Sequence, residues 1–531
     1  MRFGGVALAA LMAASCASVD QELLDAQLPD APAAWTADES VTTAPTGDWV
    51  AAFNDAALRG LIDEALAHNN SYLAAAANLD QIRANARIAR ADLLPTLGVS
   101  GNASRNAIVT DPTSAAQAGG NTELSGLRAQ DLEDQFGIDS DNDGKLDGLD
   151  LTRIDPMTGQ PVSGQDGLID ADLPNRRLYI NNFSIGAQIR WELDVWGRLT
   201  DQTRAAYKDA AAAYADFEAA RLSVAARVAQ AWFALIEARQ QRELAERDTE
   251  ARDRNLRVTE RRYERGVSSS LDVRLSRSAL GSSRANLALR QRLEMEASRA
   301  LEVLLGRYPA AELAAAETLP LLPPLAGAGA PGDILARRPD LIAAEATMEA
   351  TGLRARAARK QMLPQFTLTS QLNTSGPELA DLIDPERLAG NIAGGLFQPI
   401  FQGGRLLANS KRARAAAEAA LYNYVQTVLG AYEEAENAIA AETLLAARED
   451  ALRLAYEEAA AAEDLTERRY NSGAATIFNL LDAQTRRISS ESQYIQAQQQ
   501  RVSNRVQLYL AIGGDFLTEE KLASLRAEMG E

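Results

Sequence analysis

Imidazole and thiol are almost missing from this chain: its 531 residues hold one histidine, His68, and one cysteine, Cys16. A lone histidine excludes multi-histidine metal cages and leaves little imidazole for acid–base catalysis. His68 sits in a polar stretch of a helical pattern and reads as a solvated surface residue. A lone cysteine excludes an intramolecular disulfide. Aromatics make up only 5% of the chain, while Ala, Leu, Arg and Glu recur in long runs, a composition of long packed helices rather than of a large mixed core. Acidic side chains outnumber basic ones, 73 Asp and Glu against 54 Lys and Arg. A formal net charge of -19 argues against nucleic acid as a partner, because phosphates demand a basic face. No apolar run has the length and hydropathy of a transmembrane helix, so any membrane crossing falls to strands closed into a barrel.

The N-terminus carries the first specific signal. Arg2 precedes an apolar run from Val6 to Met12, and Ala13-Ala14-Ser15-Cys16 follows. That order predicts a secretory signal over residues 1–15. It resembles a bacterial lipoprotein lipobox, with Ala13 where leucine is usual, and the resemblance implies a covalent lipid on Cys16. Residues 16–45, rich in Asp, Ala, Pro and Thr, read as a lipid-anchored tether, and residues 516–531 as a tail.

Self-similarity sets the organisation. Thr259-Glu260-Arg261-Arg262-Tyr263 with Gly266 recurs as Thr466-Glu467-Arg468-Arg469-Tyr470 with Gly473, a step of 207 residues. Gly197-Arg198-Leu199 recurs as Gly404-Arg405-Leu406 at the same step, whereas Leu94-Pro95 recurs as Leu363-Pro364 at a step of 269. A duplicated unit whose first copy has about 62 extra residues between Pro95 and Gly197 explains all three. The first repeat is then 46–306, the linker 307–337 and the second repeat 338–515.

Each repeat alternates strands with rods. Period-two patterning predicts strands at about 96–104 and 183–193 around an acidic insert at about 105–180, and at about 365–373 and 391–400. Strands of this length, apolar on one face and hydrophilic on the other, suit a tilted membrane crossing. From Leu199 to Tyr263 there is neither proline nor glycine, so one helix of about 100 Å is expected there. A second is expected from Leu406 to Tyr470, with helical returns to about Leu304 and Ile512 and a further helix from Pro339 to Leu363. Four strands are too few to close a barrel, so several copies must share one wall.

At this point the ordered motifs resemble the TolC-type outer-membrane efflux family, in particular its NodT-like lipoproteins. The matching residues are Trp49 with Phe53 and Asp55, Trp191-Glu192-Leu193-Asp194-Val195-Trp196-Gly197-Arg198, Leu304-Leu305-Gly306 with Pro309, Arg337-Arg338-Pro339-Asp340, and the two Tyr-x-x-Gly turns. The resemblance implies a mixed α and transmembrane β-barrel fold: a homotrimer with a twelve-stranded barrel in outer-membrane lipid and a long α-helical periplasmic barrel. It implies an efflux conduit with no catalytic residues, partnered by a periplasmic adaptor and an inner-membrane pump. A type I secretion duct for polypeptides is the rival within the fold, and a calcium-dependent adhesion or scaffold protein the rival outside it.

The same resemblance puts a periplasmic gate at the rod turns, with Tyr470, Asn479 and Asp482 in the second repeat and Tyr263 and Asp272 in the first. Asp482 matches an acidic position of the family's constriction, Asn479 replaces the other, and Ala475 replaces a basic one. Gly394-Gly395 through Gly403-Gly404 lack the lysine of a P-loop and read as a strand-to-helix elbow. Trp191, Trp196, Phe397 and Phe401 near the elbows suit an interfacial girdle. Within the insert, Asp139, Asp141, Asp143, Lys145 (through its carbonyl), Asp147 and Asp150, with Gly144 at the sixth position, match a calcium loop ending in aspartate rather than glutamate.

Overall fold

A computed structural model of the chain describes residues 28, 31–38, 47–110, 176–322, 325 and 327–515. Cys16 and the Asp139–Asp150 loop lie outside the described residues. Two compact units divide the chain: Pro95–Trp191 with Thr367–Gly395, and a helical unit drawn from Met1–Leu94, Glu192–Phe366 and Leu396–Glu531.

The first unit is a sheet of four strands in the order β1-β2-β3-β4. These are β1 (Thr96–Thr110), β2 (Arg176–Leu193), β3 (Gln365–Gly376) and β4 (Ala389–Phe397). β1 and β2 run antiparallel, and their register sets Leu97 opposite Ile189, Val99 opposite Ala187 and Gly101 opposite Ile185. The intervening pairs are Gly98 with Gln188, Ser100 with Gly186 and Asn102 with Ser184. Because successive side chains point to opposite faces, this register gathers the apolar residues on one face and the polar ones on the other; a slip of one residue would mix them. The apolar face is uncovered within the chain: Leu97 is 70%, Val99 73% and Ile392 77% exposed.

Two expectations change here. The insert is shorter than 105–180, because β1 runs to Thr110 and β2 begins at Arg176. Outside the apolar stretch the ladder continues through polar pairs such as Arg105 with Asn181, and Arg105 stacks over the Tyr179 ring at 4.4 Å. The fourth strand ends at Phe397 instead of 400, consistent with Pro399, which has no N–H to give to a ladder.

The helical unit contains α1 (Ala56–His68), α2 (Asn70–Ala91), α3 (Arg198–Glu264), α4 (Ser270–Leu304), α5 (Pro339–Lys360), α6 (Arg405–Asn471) and α7 (Ile477–Ala511). Both rods, α3 and α6, are 67 residues long and both returns, α4 and α7, are 35. Their starts and ends are related by the same step of 207 residues. Local chemistry sets these bounds. Asp194 accepts hydrogen bonds from the Leu199 and Thr200 amides at 3.0 and 2.7 Å, satisfying free donors at the start of α3. Gly266 and Gly473, at φ +76° and +81°, end the rods in the left-handed conformation.

The core gathers Trp49, Phe53, Leu58 and Ile62 against Val224, Val228, Phe233 and Ile236 of α3, with Val428 of α6 and Val506 and Tyr509 of α7. One 18-residue window of α3 is apolar enough by length and composition to cross a membrane, contrary to the expectation of none, but 61% of that window is buried inside the chain. Its apolar side chains serve this core. The tether expectation at 16–45 also needs correction over residues 31–38. Trp35 is 1% exposed, its indole N–H donates to the Gly329 carbonyl at 2.7 Å, and the Thr36 and Ala37 amides donate to the Glu436 carboxylate. Burying a tryptophan docks a segment that composition alone marks as linker.

Candidate functional site

The rods α3 and α6 meet their returns at two turns, and the two turns use equivalent residues differently. Ser269 caps α4 in a capping box with Asp272, the Ser269 amide donating to Asp272 Oδ2 at 2.8 Å and the Asp272 amide to Ser269 Oγ at 3.2 Å. Thr476 caps α7 in the same place, accepting from the Asn479 amide at 3.3 Å and bonding the Asn479 side chain. Asp272 and Asn479, expected in the gate, are therefore engaged in starting helices. Asp482 is exposed and pairs with Arg486 one turn along at 2.9 Å. Its partner lies on its own helix.

Tyr470 and Tyr263, equivalent in sequence, part company completely: Tyr470 is 5% exposed and Tyr263 50%. Tyr470 lies in the groove between α3 and α4. Its hydroxyl meets Thr259 Oγ1 at 3.2 Å, and Ser276 Oγ reaches the same oxygen at 3.4 Å. The Thr259 hydroxyl donates to the Asn255 carbonyl, so its oxygen is left to accept from the tyrosine. Arg262 covers the ring, its guanidinium carbon 4.5 Å from the centroid, and donates to the Tyr470 and Asn471 carbonyls at 3.2 Å each. One arginine thus holds the ring and the last carbonyls of α6, where the helix dipole is negative. Ile477, Leu480 and Val258 pack around the ring.

Toward the core the same α3–α7 seam is polar. Gln241 donates to the Ser492 carbonyl, Arg247 pairs with Glu491, Arg252 reaches Thr485 and Asn255 donates to Gln484. A cavity of about 240 Å³ interrupts the seam beside Gln241, Arg252, Asn286 and Ser489. Thr259, Arg262 and Ser276 were not singled out in the sequence as gate residues. Thr259 and Arg262 nevertheless stand inside the repeated Thr-Glu-Arg-Arg-Tyr segment, which was the available signal.

Other sequence-marked residues have structural work. Arg338 takes Asp340 in two bonds of 3.0 and 2.7 Å, Glu434 at 2.8 Å and the Ala511 carbonyl at 3.2 Å. Arg198 pairs with Glu192 at 2.6 Å, and Trp196 Nε1 donates to the Pro364 carbonyl at 2.8 Å, joining the elbow to the Leu-Pro pair. Trp196, Phe397 and Phe401 are exposed and Trp191 is half-buried. His68 is exposed, its Nδ1 3.1 Å from the Glu64 carbonyl. Among the described residues no group of three or more His, Cys, Asp or Glu side chains is gathered to hold a metal.

Comparison with known proteins gives consistent matches. The family model described as outer membrane efflux protein matches residues 61–136, 170–307 and 330–514. The pyoverdine export outer membrane protein OpmQ of Pseudomonas aeruginosa is 27% identical over 475 residues, covering 89% of this chain and 88% of that protein. The toluene efflux pump outer membrane protein TtgC of Pseudomonas putida is 27% identical over 517 residues, covering 95% and 92%. Among solved structures, the Campylobacter jejuni CmeC outer membrane channel superposes with a TM-score of 0.76 at 21% identity, covering 94% of this chain and 96% of that one.

Proposed function

The chain belongs to the outer membrane efflux protein family, and from that premise we propose that it is the outer-membrane channel subunit of a tripartite efflux system. It forms a passive conduit that carries small molecules from a periplasmic adaptor and inner-membrane pump to the exterior. The observation that carries this reading is the sheet: four strands with one exposed apolar face, one polar face, and β1 and β4 each paired on one side only. Such edges are satisfied in lipid by neighbouring strands and in no other way. Three copies of a duplicated chain supply twelve strands and a ring of rods and returns, with no step of covalent chemistry. Relatives named for pyoverdine export and toluene efflux support small-molecule cargo. The reading is tested by mass measurement in detergent together with conductance in planar bilayers. Trimers that conduct ions are expected; a folded monomer without conductance refutes it.

Two expectations that lie outside the described residues belong to the same reading. Cys16 carries the lipid, so Cys16→Ala abolishes lipid labelling, and a mature chain retaining residues 1–15 would show the assignment wrong. The Asp139–Asp150 loop binds Ca2+ through Asp139, Asp141, Asp143, the Lys145 carbonyl, Asp147 and Asp150. Calcium then raises thermal stability, and the Asp141→Ala, Asp143→Ala pair removes the rise; equal melting with and without calcium rejects the site.

A further inference from the structure

The groove that holds Tyr470 has a second edition in this chain, and that one is empty. Stepping Thr259, Arg262 and Ser276 forward by 207 residues gives Thr466, Arg469 and Ala483. All three line a cavity of about 450 Å³ beside the α6–α7 turn, together with Ala459, Ala462 and Asp482. The local geometry is the same: Thr466 donates its hydroxyl proton to the Ala462 carbonyl as Thr259 does to Asn255, leaving an oxygen free to accept. Leu465, the equivalent of Val258, is 53% exposed. The residue equivalent to the groove's occupant is Tyr263, half exposed at the tip of the other rod.

We propose that the α6–α7 groove receives Tyr263 of a second copy of this chain, reproducing between copies the joint that Tyr470 makes within one. In that joint the incoming hydroxyl donates to Thr466 Oγ1. Arg469 covers the ring and donates to the last carbonyls of the incoming α3, as Arg262 does for α6. Leu465 packs against the ring where Val258 packs against Tyr470. The inference rests on the oligomeric reading above and adds which surfaces meet. Intrachain and interchain tyrosine joints then alternate around the closed ring.

The test places a photoreactive benzoylphenylalanine at position 263 or 470 in the full chain in its membrane, followed by denaturing electrophoresis and mapping of cross-linked peptides. Label at 263 is expected to give a covalent product of higher mass, linked to residues 459–486 of another copy. Label at 470 is expected to give an intrachain link to residues 255–276 with no gain in mass. Arg469→Ala lowers the yield from 263 and leaves that from 470. If detergent mass shows an oligomer but label at 263 links only within its own chain, or not at all, the groove assignment is overturned and the oligomer stands. A monomer by mass overturns the oligomeric reading and the assignment together.

Discussion

Truncating Tyr470 tests whether the rod turns form the closure of the conduit. In Tyr470→Phe the ring and the Arg262 contact remain and one hydrogen bond is lost. Thr259 keeps its bond to the Asn255 carbonyl and Ser276 still donates to it, so no buried donor is orphaned and the loss stays near the ordinary value of about 1 kcal/mol per copy. Tyr470→Ala removes the ring from among Val258, Ile477 and Leu480, a loss of roughly 3–5 kcal/mol for a buried aromatic. The cation–π contact with Arg262 goes with it, about 0.5–1 kcal/mol more. Where these contacts exist only in the closed arrangement, about 1 kcal/mol shifts the closed-to-open ratio roughly fivefold. Single-channel recording of the reconstituted protein should therefore rank open probability and mean conductance as wild type, then Tyr470→Phe, then Tyr470→Ala. Thermal melting of the core should change less than the channel behaviour, because the Tyr470 cluster is separate from the main core. Intact Tyr470→Ala oligomers with wild-type conductance and open probability would refute the turns as the closure.

Three further outcomes follow from the same contacts. Asp482→Ala leaves Arg486 without its partner of 2.9 Å, so the reconstituted pore should lose cation preference; unchanged reversal potentials in a salt gradient would place the charge filter elsewhere. Asp55 accepts from the Ala57 and Leu58 amides and from Trp232 Nε1 at 2.7 Å. Asp55→Ala removes a cap worth about 1 kcal/mol and strands a buried donor at about 1–3 kcal/mol, and its melting temperature should fall clearly while that of Asp55→Ala with Trp232→Phe falls by less than the sum of the single effects. Burial alone would raise the Asp194 carboxyl, but hydrogen bonds from the Thr200 side chain and from the Thr200, Leu199 and Arg198 amides outweigh it and hold the group below its ordinary value. With the folded value depressed, its contribution is complete above the unfolded value of about 3.9 and is lost as pH falls through the folded one. The stability gap between wild type and Asp194→Asn should close over that acid range, and a gap independent of pH there would contradict the assignment.

Much of the architecture was legible because it depends on local, periodic chemistry. Two proline-free runs, the first also free of glycine and the second tolerating only Gly430, predicted both rods to within one residue at each end, and the rods stop where an αL glycine intervenes. Alternation located the four strands, and the 207-residue step paired the halves. Long-range contacts decided the rest. Composition marked residues 31–38 as linker, yet Trp35 docks at Gly329, a partner nearly three hundred positions away that no local pattern encodes. Asp272 and Asn479 have the residue types of a gate, and tertiary geometry adds that both side chains also bond at their own helix starts, Asp272 accepting from the Ser269 amide and Asn479 from the Thr476 hydroxyl. Above all, sequence made Tyr263 and Tyr470 identical, motif for motif. Only the packing of α7 against α3, which brings the end of α6 to that helix, distinguished them, because one chain contains both grooves but can turn one tyrosine inward and leaves the other for a surface it does not itself supply.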